Sequence, residues 1–172
     1  MKKEIQYRDA IAADAIKLSI LYKQVYIQTY GVDGVSDEFA NFIVKKFAVE
    51  KLTQTILEHP GHIIVATYNN NLVGVAEIEY AKQCPVGNIV APELNKLYIL
   101  EWFCGMGIGH ALMQLAEKAV VAKGEQQMWL WVLESNTRAI AFYEKEGYRC
   151  IGDASFQMEV NKYENKVMLK EL

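Results

Sequence analysis

Residues 103–113, FCGMGIGHALM, hold Gly105, Gly107 and Gly109 within five positions, directly before an apolar stripe at helical spacing. Glycine costs backbone entropy in regular structure, so a cluster of them opening a helix calls for a reason. A strand that runs into such a turn and then into a helix leaves several backbone N–H groups aimed in one direction, where the helix dipole adds positive potential. The chemistry this suits is anion binding, above all of a phosphate or pyrophosphate. The competing reading is that the glycines only let strand and helix pack closely. Spacing narrows the ligand. A Rossmann fingerprint needs G-x-G-x-x-G, and counted from Gly105 its last place is His110. A Walker A loop needs Lys followed by Ser or Thr, and His110-Ala111 stands after the glycines instead. What fits is the closing G-x-G of the pattern [Q/R]-x-x-G-x-[G/A].

Other reactive side chains narrow the chemistry further. His59 and His62 are separated only by Pro60-Gly61, a turn, with no companion cysteine nearby, so no metal site is expected. Cys84, Cys104 and Cys150 are odd in number and widely spaced, which argues against a disulfide framework and for a reducing, cytoplasmic setting. A net charge of −3 offers no basic excess for nucleic acid or an anionic membrane and suits a cationic substrate. MKKEIQYRDA has no apolar core of a signal peptide, and no apolar run approaches the ~18 residues that span a bilayer.

The elements that must position the loop follow from hydrophobic periodicity. At 172 residues, 52% apolar and 23% charged, the chain is expected to form one domain over 1–172. Ile5 to Arg8 reads as a short strand. DAIKLSILYKQVYIQTYG has helical rhythm up to Gly31, and one or two helices follow between a cap at Ser36 or Asp37 and the stop at Pro60-Gly61. HIIVATY and LVGVAEIEY flank Asn69-Asn70-Asn71 as a hairpin, because asparagine tolerates positive φ. KQCPVGNIVAPE reads as a loop and LNKLYIL as a strand leading into the glycines. Ile108, Ala111, Leu112, Leu115, Ala116, Ala119 and Val120 define the next helix, which Gly124 ends. QMWLWVLE is a strand, NTRAIAFYEKEG a helix capped by Asn136 and stopped at Gly147, and strands near 148–158 and 163–170 close the chain. The order predicts an α/β (α+β) fold with helices on both faces of a mixed sheet.

Two of these stretches carry a resemblance. LYILEWFCGMGIGHALM, followed by MWLWVLESNTRAIAFYEKEGY, is similar to the acetyl-CoA-binding core of the GNAT superfamily of N-acetyltransferases. The family consensus runs close to LYVLPEYRGKGIGKALL and then N-x-x-A-x-x-F-Y-x-x-x-G-F/Y. Asn136, Ala139, Phe142, Tyr143, Gly147 and Tyr148 match the second half. VYIQTYG and the ending GDASFQMEVNKYENKVMLKEL are similar to the bacterial branch that acetylates polyamines such as spermidine and spermine.

The resemblance implies the GNAT fold, a mostly antiparallel sheet of six to seven strands, and acetyl-CoA as co-substrate without a metal. Backbone N–H groups of Met106, Gly107, Ile108, Gly109, His110 and Ala111 would hold the CoA pyrophosphate. Backbone groups of Leu97 and Ile99 would bond the pantetheine arm, and the Ile99 N–H would meet the thioester oxygen as it gains charge. Asn136 would reach the pantetheine amide besides capping its helix. Tyr143 would protonate the departing CoA thiolate, a role that suits a phenol of pKa near ~10. Lys145 would touch the nucleotide end. The plainer readings of these three are a cap, a core aromatic and a solvated lysine. Cys104 stands where the family has Gln or Arg and cannot offer the same hydrogen bond or charge to a phosphate. A covalent route through Cys104 is set against the family's direct transfer.

An amine acceptor must shed a proton before it attacks, so a carboxylate, directly or through water, would help. Glu77 or Glu101 is the candidate base, and Glu79 and Glu134, with Tyr26 and Tyr30 on the first helix, are candidate acceptor-site residues. The expected partner is a small-molecule amine, and a homodimer is left open. Protein or peptide N-acetylation, antibiotic acetylation and a catalytically silent CoA-binding regulator are the alternatives.

Overall fold

Apolar periodicity sorts the chain into twelve regular elements in the computed structural model, which describes residues 3–172. They are β1 (Gln6–Asp9), α1 (Ala15–Tyr30), α2 (Asp37–Lys46), α3 (Val49–Glu58), β2 (Ile63–Tyr68), β3 (Asn71–Gln83), β4 (Val90–Ile99), α4 (Ile108–Ala122), β5 (Gln127–Leu133), α5 (Thr137–Lys145), β6 (Arg149–Gln157) and β7 (Lys162–Glu171). The strands form one seven-stranded sheet in the order β1-β2-β3-β4-β5-β7-β6. The pairs β1–β2, β2–β3, β5–β7 and β6–β7 are antiparallel, while β4 and β5 pair in parallel at Glu93 and Trp129. A mixed, largely antiparallel sheet of seven strands is what the sequence leads one to expect.

Local chemistry explains most boundaries. The Ser36 side chain accepts from the Phe39 N–H at 3.2 Å and caps α2. Asn69 and Asn70 turn the β2–β3 hairpin at φ 49° and 63°, and Asn71 already belongs to β3. Gly124, at φ 85°, ends α4.

Three expectations are corrected. The stretch read as a loop over KQCPVGNIVAPE is half strand: β3 runs through Gln83, β4 starts at Val90, and the Cys84 N–H bonds the Ile89 carbonyl at 2.8 Å to close a short connection. Pro92 lacks an N–H and so reads as a breaker, yet it sits near the start of β4, beside Ala91, whose carbonyl accepts from Trp129 Nε1 at 3.1 Å. The strand LNKLYIL does not pass straight into the glycine turn, since a 3₁₀ turn over Glu101–Phe103 intervenes. The first strand begins at Gln6 and not at Ile5.

The described residues gather into two compact units, one running up to Glu77 with Lys96–Leu115, the other Ile78–Asn95 with Ala116–Leu172. The first has an aromatic core in which the Tyr26 ring lies 4.4 Å from that of Tyr30 and 5.3 Å from that of Phe47. It also contains the close approach that seats the start of α4. A Cβ at Gly74 would stand 3.2 Å from the Tyr98 carbonyl oxygen and 3.3 Å from both Ile108 and Leu112 side chains. The second unit is built on Cys84, Ala91, Trp129, Val167 and Leu169, all buried.

Candidate active site

The glycine loop answers the question its sequence raises. Gly105 and Gly107 adopt φ 76° and 80°, a left-handed conformation that costs an L-residue about 1–2 kcal/mol. A Cβ built at either would meet nothing within 4 Å. Backbone conformation, and not close packing, is therefore what requires glycine there; Gly74, by contrast, is a glycine that close packing requires. The loop opens a fifteen-residue helix at Ile108, whose first N–H groups have no partner within the helix. Met106 and Gly107 are exposed and Ile108 is buried, so the chain turns from an open cradle into the core over two residues.

Cys104 sits just before this cradle, partly buried, with its thiol 3.7 Å from the Leu100 carbonyl oxygen and 4.0 Å from that of Ile99. Its side chain thus closes back on the end of β4 and adds no cation to the loop. Leu97 and Ile99 lie on the C-terminal half of β4, both half-buried, and Glu101 is exposed in the turn that follows. His110 is exposed and Ala111 half-buried on the first turn of α4.

Glu77 is placed very differently from a solvated glutamate. One oxygen accepts from the Tyr22 phenol at 2.6 Å and the other from Lys96 Nζ at 3.0 Å. The Glu77 and Lys96 side chains are 8% and 9% exposed, and Tyr22 is fully buried. Burial, reinforced by the Glu77 charge, pushes the Tyr22 phenol well above its usual range, so it stays protonated and donates to Glu77. Lys96 Nζ also lies 5.1 Å from the Tyr22 ring centroid. The Tyr22–Glu77–Lys96 network was invisible in the sequence, where Tyr22 is one aromatic in an apolar helix and Lys96 one cation in a strand. Alternation along β3 and β4, which turns the odd apolar-strand lysine inward, was the available signal.

Within the second unit, Asn136 Oδ1 accepts from the Ala139 N–H at 3.1 Å and caps α5, as its position predicts. Tyr143 is half-buried on the last turn of that helix, its ring 5.4 Å from Phe142 and 6.1 Å from Tyr148, both edge-on. Lys145 is exposed. Glu79, half-buried, pairs with Lys82 at 2.7 Å, and the exposed Glu134 pairs with the half-buried Lys166 at 3.0 Å. In the first unit, Tyr26 is buried in the aromatic core and Tyr30 lies half-buried against it. The His59 and His62 rings stack at 4.9 Å, and among the described residues no group of three His, Cys, Asp or Glu side chains is placed to hold a metal. No helix among those residues is long and apolar enough to cross a membrane.

A seven-stranded sheet with one parallel pair, and a positive-φ glycine loop opening the helix after β4, define a class of acyl-transfer proteins. The chain belongs to that class: residues 28–148 match the Acetyltransferase (GNAT) family. It is 26% identical over 136 residues to an uncharacterized N-acetyltransferase of Mycobacterium tuberculosis, covering 79% of this chain and 83% of that one. Among solved structures, the PaiA N-acetyltransferase of Thermoplasma acidophilum in complex with coenzyme A superposes with a TM-score of 0.76 at 22% identity, covering 98% and 99% of the two chains. The ribosomal-protein-alanine N-acetyltransferase of Brucella melitensis superposes at 0.74 with 18% identity, covering 97% and 99%.

Proposed function

We propose that the protein transfers the acetyl group of acetyl-CoA to a primary amine by direct attack in a ternary complex, a polyamine being the first acceptor class to test. The observation that carries this reading is the open cradle at Gly105 and Gly107, held at positive φ at the N-terminus of α4. Its backbone donors at a helix N-terminus suit a pyrophosphate. When bound, acetyl-CoA supplies an activated thioester.

The chain's own residues do the rest. Backbone N–H groups from Met106 to His110 bind the pyrophosphate, and those of Leu97 and Ile99 orient the pantetheine arm. The Ala111 N–H, expected to join the cradle, instead donates to the Gly107 carbonyl at 3.0 Å as the first bond of the helix. The Ile99 N–H offers a hydrogen bond to the oxygen that gains charge as the amine attacks. Asn136 uses Oδ1 for its cap, and the same carboxamide carries two N–H donors for the pantetheine. Tyr143 donates a proton from its phenol to the departing sulfur. Of the two candidate bases, Glu77 is engaged by Tyr22 and Lys96 while Glu101 is exposed, and that contrast favours Glu101, acting through water. The polyamine class is supported by the resemblance of VYIQTYG and of the chain's ending to that branch, and by the net charge of −3.

Thiol release from acetyl-CoA across a panel of spermidine, spermine, amino-terminal peptides and lysyl peptides tests the reading, with Tyr143→Phe in parallel. Turnover with at least one amine, reduced about 10²-fold or more in Tyr143→Phe, is expected. CoA binding without turnover on any amine would replace the enzyme with a CoA-binding regulator. Turnover restricted to peptides would move the acceptor to protein.

A further inference from the structure

We propose that Glu117, held by Lys170 and acting through Tyr148, is a positioning residue for Tyr143. The inference rests on the reading of Tyr143 as proton donor. It starts from an oddity of α5. This nine-residue helix buries none of its residues, so its own packing does little to fix the orientation of a side chain on its last turn. Helix ends fray unless something beyond them is anchored. The anchor here is Tyr148, five residues past Tyr143 and 3% exposed.

Three elements converge on that anchor. From α4, Glu117 Oε1 accepts from the Tyr148 phenol at 3.4 Å. From β7, Lys170 Nζ donates to the same Glu117 oxygen at 2.8 Å and lies 5.6 Å from the Tyr148 ring centroid. The Lys170 stem also runs past the turn itself, its Cε 3.4 Å from where a Cβ at Gly147 would stand. The Glu117 and Lys170 side chains are 16% and 23% exposed, sheltered enough for the pair to hold a geometry that a solvated pair would not. Burial, with the neighbouring Glu117 charge, pushes the Tyr148 phenol well above its usual range, so Tyr148 stays neutral and keeps donating to Glu117. The Tyr148 ring then meets the Tyr143 ring edge-on at 6.1 Å and 65°, passing the restraint to the proton donor. Misplacing a proton donor by a fraction of an ångström lowers the chemical step without weakening CoA binding.

A double-mutant cycle on kcat separates this role from general destabilisation. Glu117→Gln is expected to lower kcat about tenfold in the wild-type background, with the KM for acetyl-CoA within about twofold. In a Tyr143→Phe background, with no phenol left to position, the same substitution should change kcat less than about twofold. Tyr148→Phe keeps the ring and the backbone but removes the phenol, and is expected to repeat the pattern should Glu117→Gln fold poorly. Lys170→Arg, which preserves the ion pair, should restore near-normal kcat where Lys170→Met does not. Equal losses in both backgrounds, or no loss in either, overturn the positioning role alone. A Tyr143→Phe single variant with wild-type kcat overturns the proton-donor reading and the positioning role with it.

Discussion

The Tyr148 amide donates to the Tyr143 carbonyl at 3.0 Å, and the Gly147 amide donates to the Glu144 carbonyl at 3.0 Å. With Gly147 at φ 93°, these two bonds and the contact between the two tyrosine rings make a Schellman motif in which the proposed proton donor is the residue whose carbonyl receives the outer bond. The spacing F-Y-x-x-x-G-Y is therefore a structural statement as well as a chemical one. The tyrosine must lie three residues inside the helix end, the glycine must take the left-handed position, and the final aromatic must close the turn.

Gly147→Ala tests that statement. Alanine at a left-handed position costs about 1–2 kcal/mol, while its Cβ would meet the Lys170 stem only at an ordinary contact distance of 3.4 Å, so the cost is that of the backbone. Denaturant unfolding should show a loss of that size, and kcat should fall more than the KM for acetyl-CoA rises. A variant as stable and as active as wild type would mean that the turn tolerates another geometry and that Tyr143 does not depend on it.

Cys104→Arg should tighten acetyl-CoA binding. The thiol lies against the Leu100 and Ile99 carbonyl oxygens and contributes no charge, whereas an arginine at the same loop position can reach a phosphate with a bidentate pair of donors. We expect the KM for acetyl-CoA to fall about three- to tenfold, the 1 kcal/mol scale of one exposed charge-assisted contact, with kcat within about twofold. A collapse of kcat on Cys104→Ala would instead point to a thioester route through the cysteine.

Much of this was legible in the sequence, and the places where it was not share a cause. The glycine cradle, the Ser36 and Asn136 caps, the Asn69-Asn70 hairpin and the Gly147 stop are local, each set by a residue type acting on its own backbone. Pro92 misled because its missing N–H is a local signal, while the strand around it is held by tertiary pairing, including the parallel bridge from Glu93 to Trp129. Glu77 and Glu79 look equivalent two positions apart, yet one is buried against Tyr22 and Lys96 and the other, only half-buried, pairs with Lys82. Partners 55 and 19 residues away decide that difference, and a single sequence does not list them. The Glu117–Lys170 pair, 53 residues apart, is of the same kind.

The Tyr22–Glu77–Lys96 network predicts a non-additive pattern of stability. Lys96→Met leaves the Glu77 carboxylate buried with the Tyr22 phenol as its remaining donor in the network, and breaking such a pair from one side costs about 3–5 kcal/mol. Removing the charge as well, in Lys96→Met with Glu77→Gln, should recover a substantial part of that loss, because no uncompensated charge remains in the core. Urea unfolding of the two singles and the double checks the order. A double variant less stable than Lys96→Met would show that the carboxylate is valuable without its ammonium. A kcat in Glu77→Gln within a few-fold of wild type would in turn keep Glu77 out of the amine's proton path and leave Glu101→Gln as the variant that should slow turnover.

Acid sensitivity should trace to Asp14. Its side chain is 1% exposed and takes two bonds from Arg8, at 2.6 and 3.0 Å, one from Lys17 at 2.9 Å and one from the Ile11 N–H at 3.0 Å. Burial by itself would raise the carboxyl's pKa, but the Arg8 and Ile11 hydrogen bonds, then Lys17 and the Arg8 charge, outweigh it and hold the group well below the usual carboxylate range. A folded pKa below the unfolded one means that the stabilisation is fully present above the unfolded value of about 3.9 and is lost as the pH falls through the folded value. Asp14→Asn should therefore be less stable than wild type by about 2 kcal/mol at pH 7, the scale of hydrogen bonds to a charged group, because Arg8 and Lys17 lose their shared partner. The gap should hold down to about pH 4 and narrow steadily below it. Urea unfolding of both proteins at pH 7, 5 and 3 measures the gap directly. A difference that stays constant across that range would assign the acid sensitivity to other carboxylates and reduce Asp14 to a packing residue.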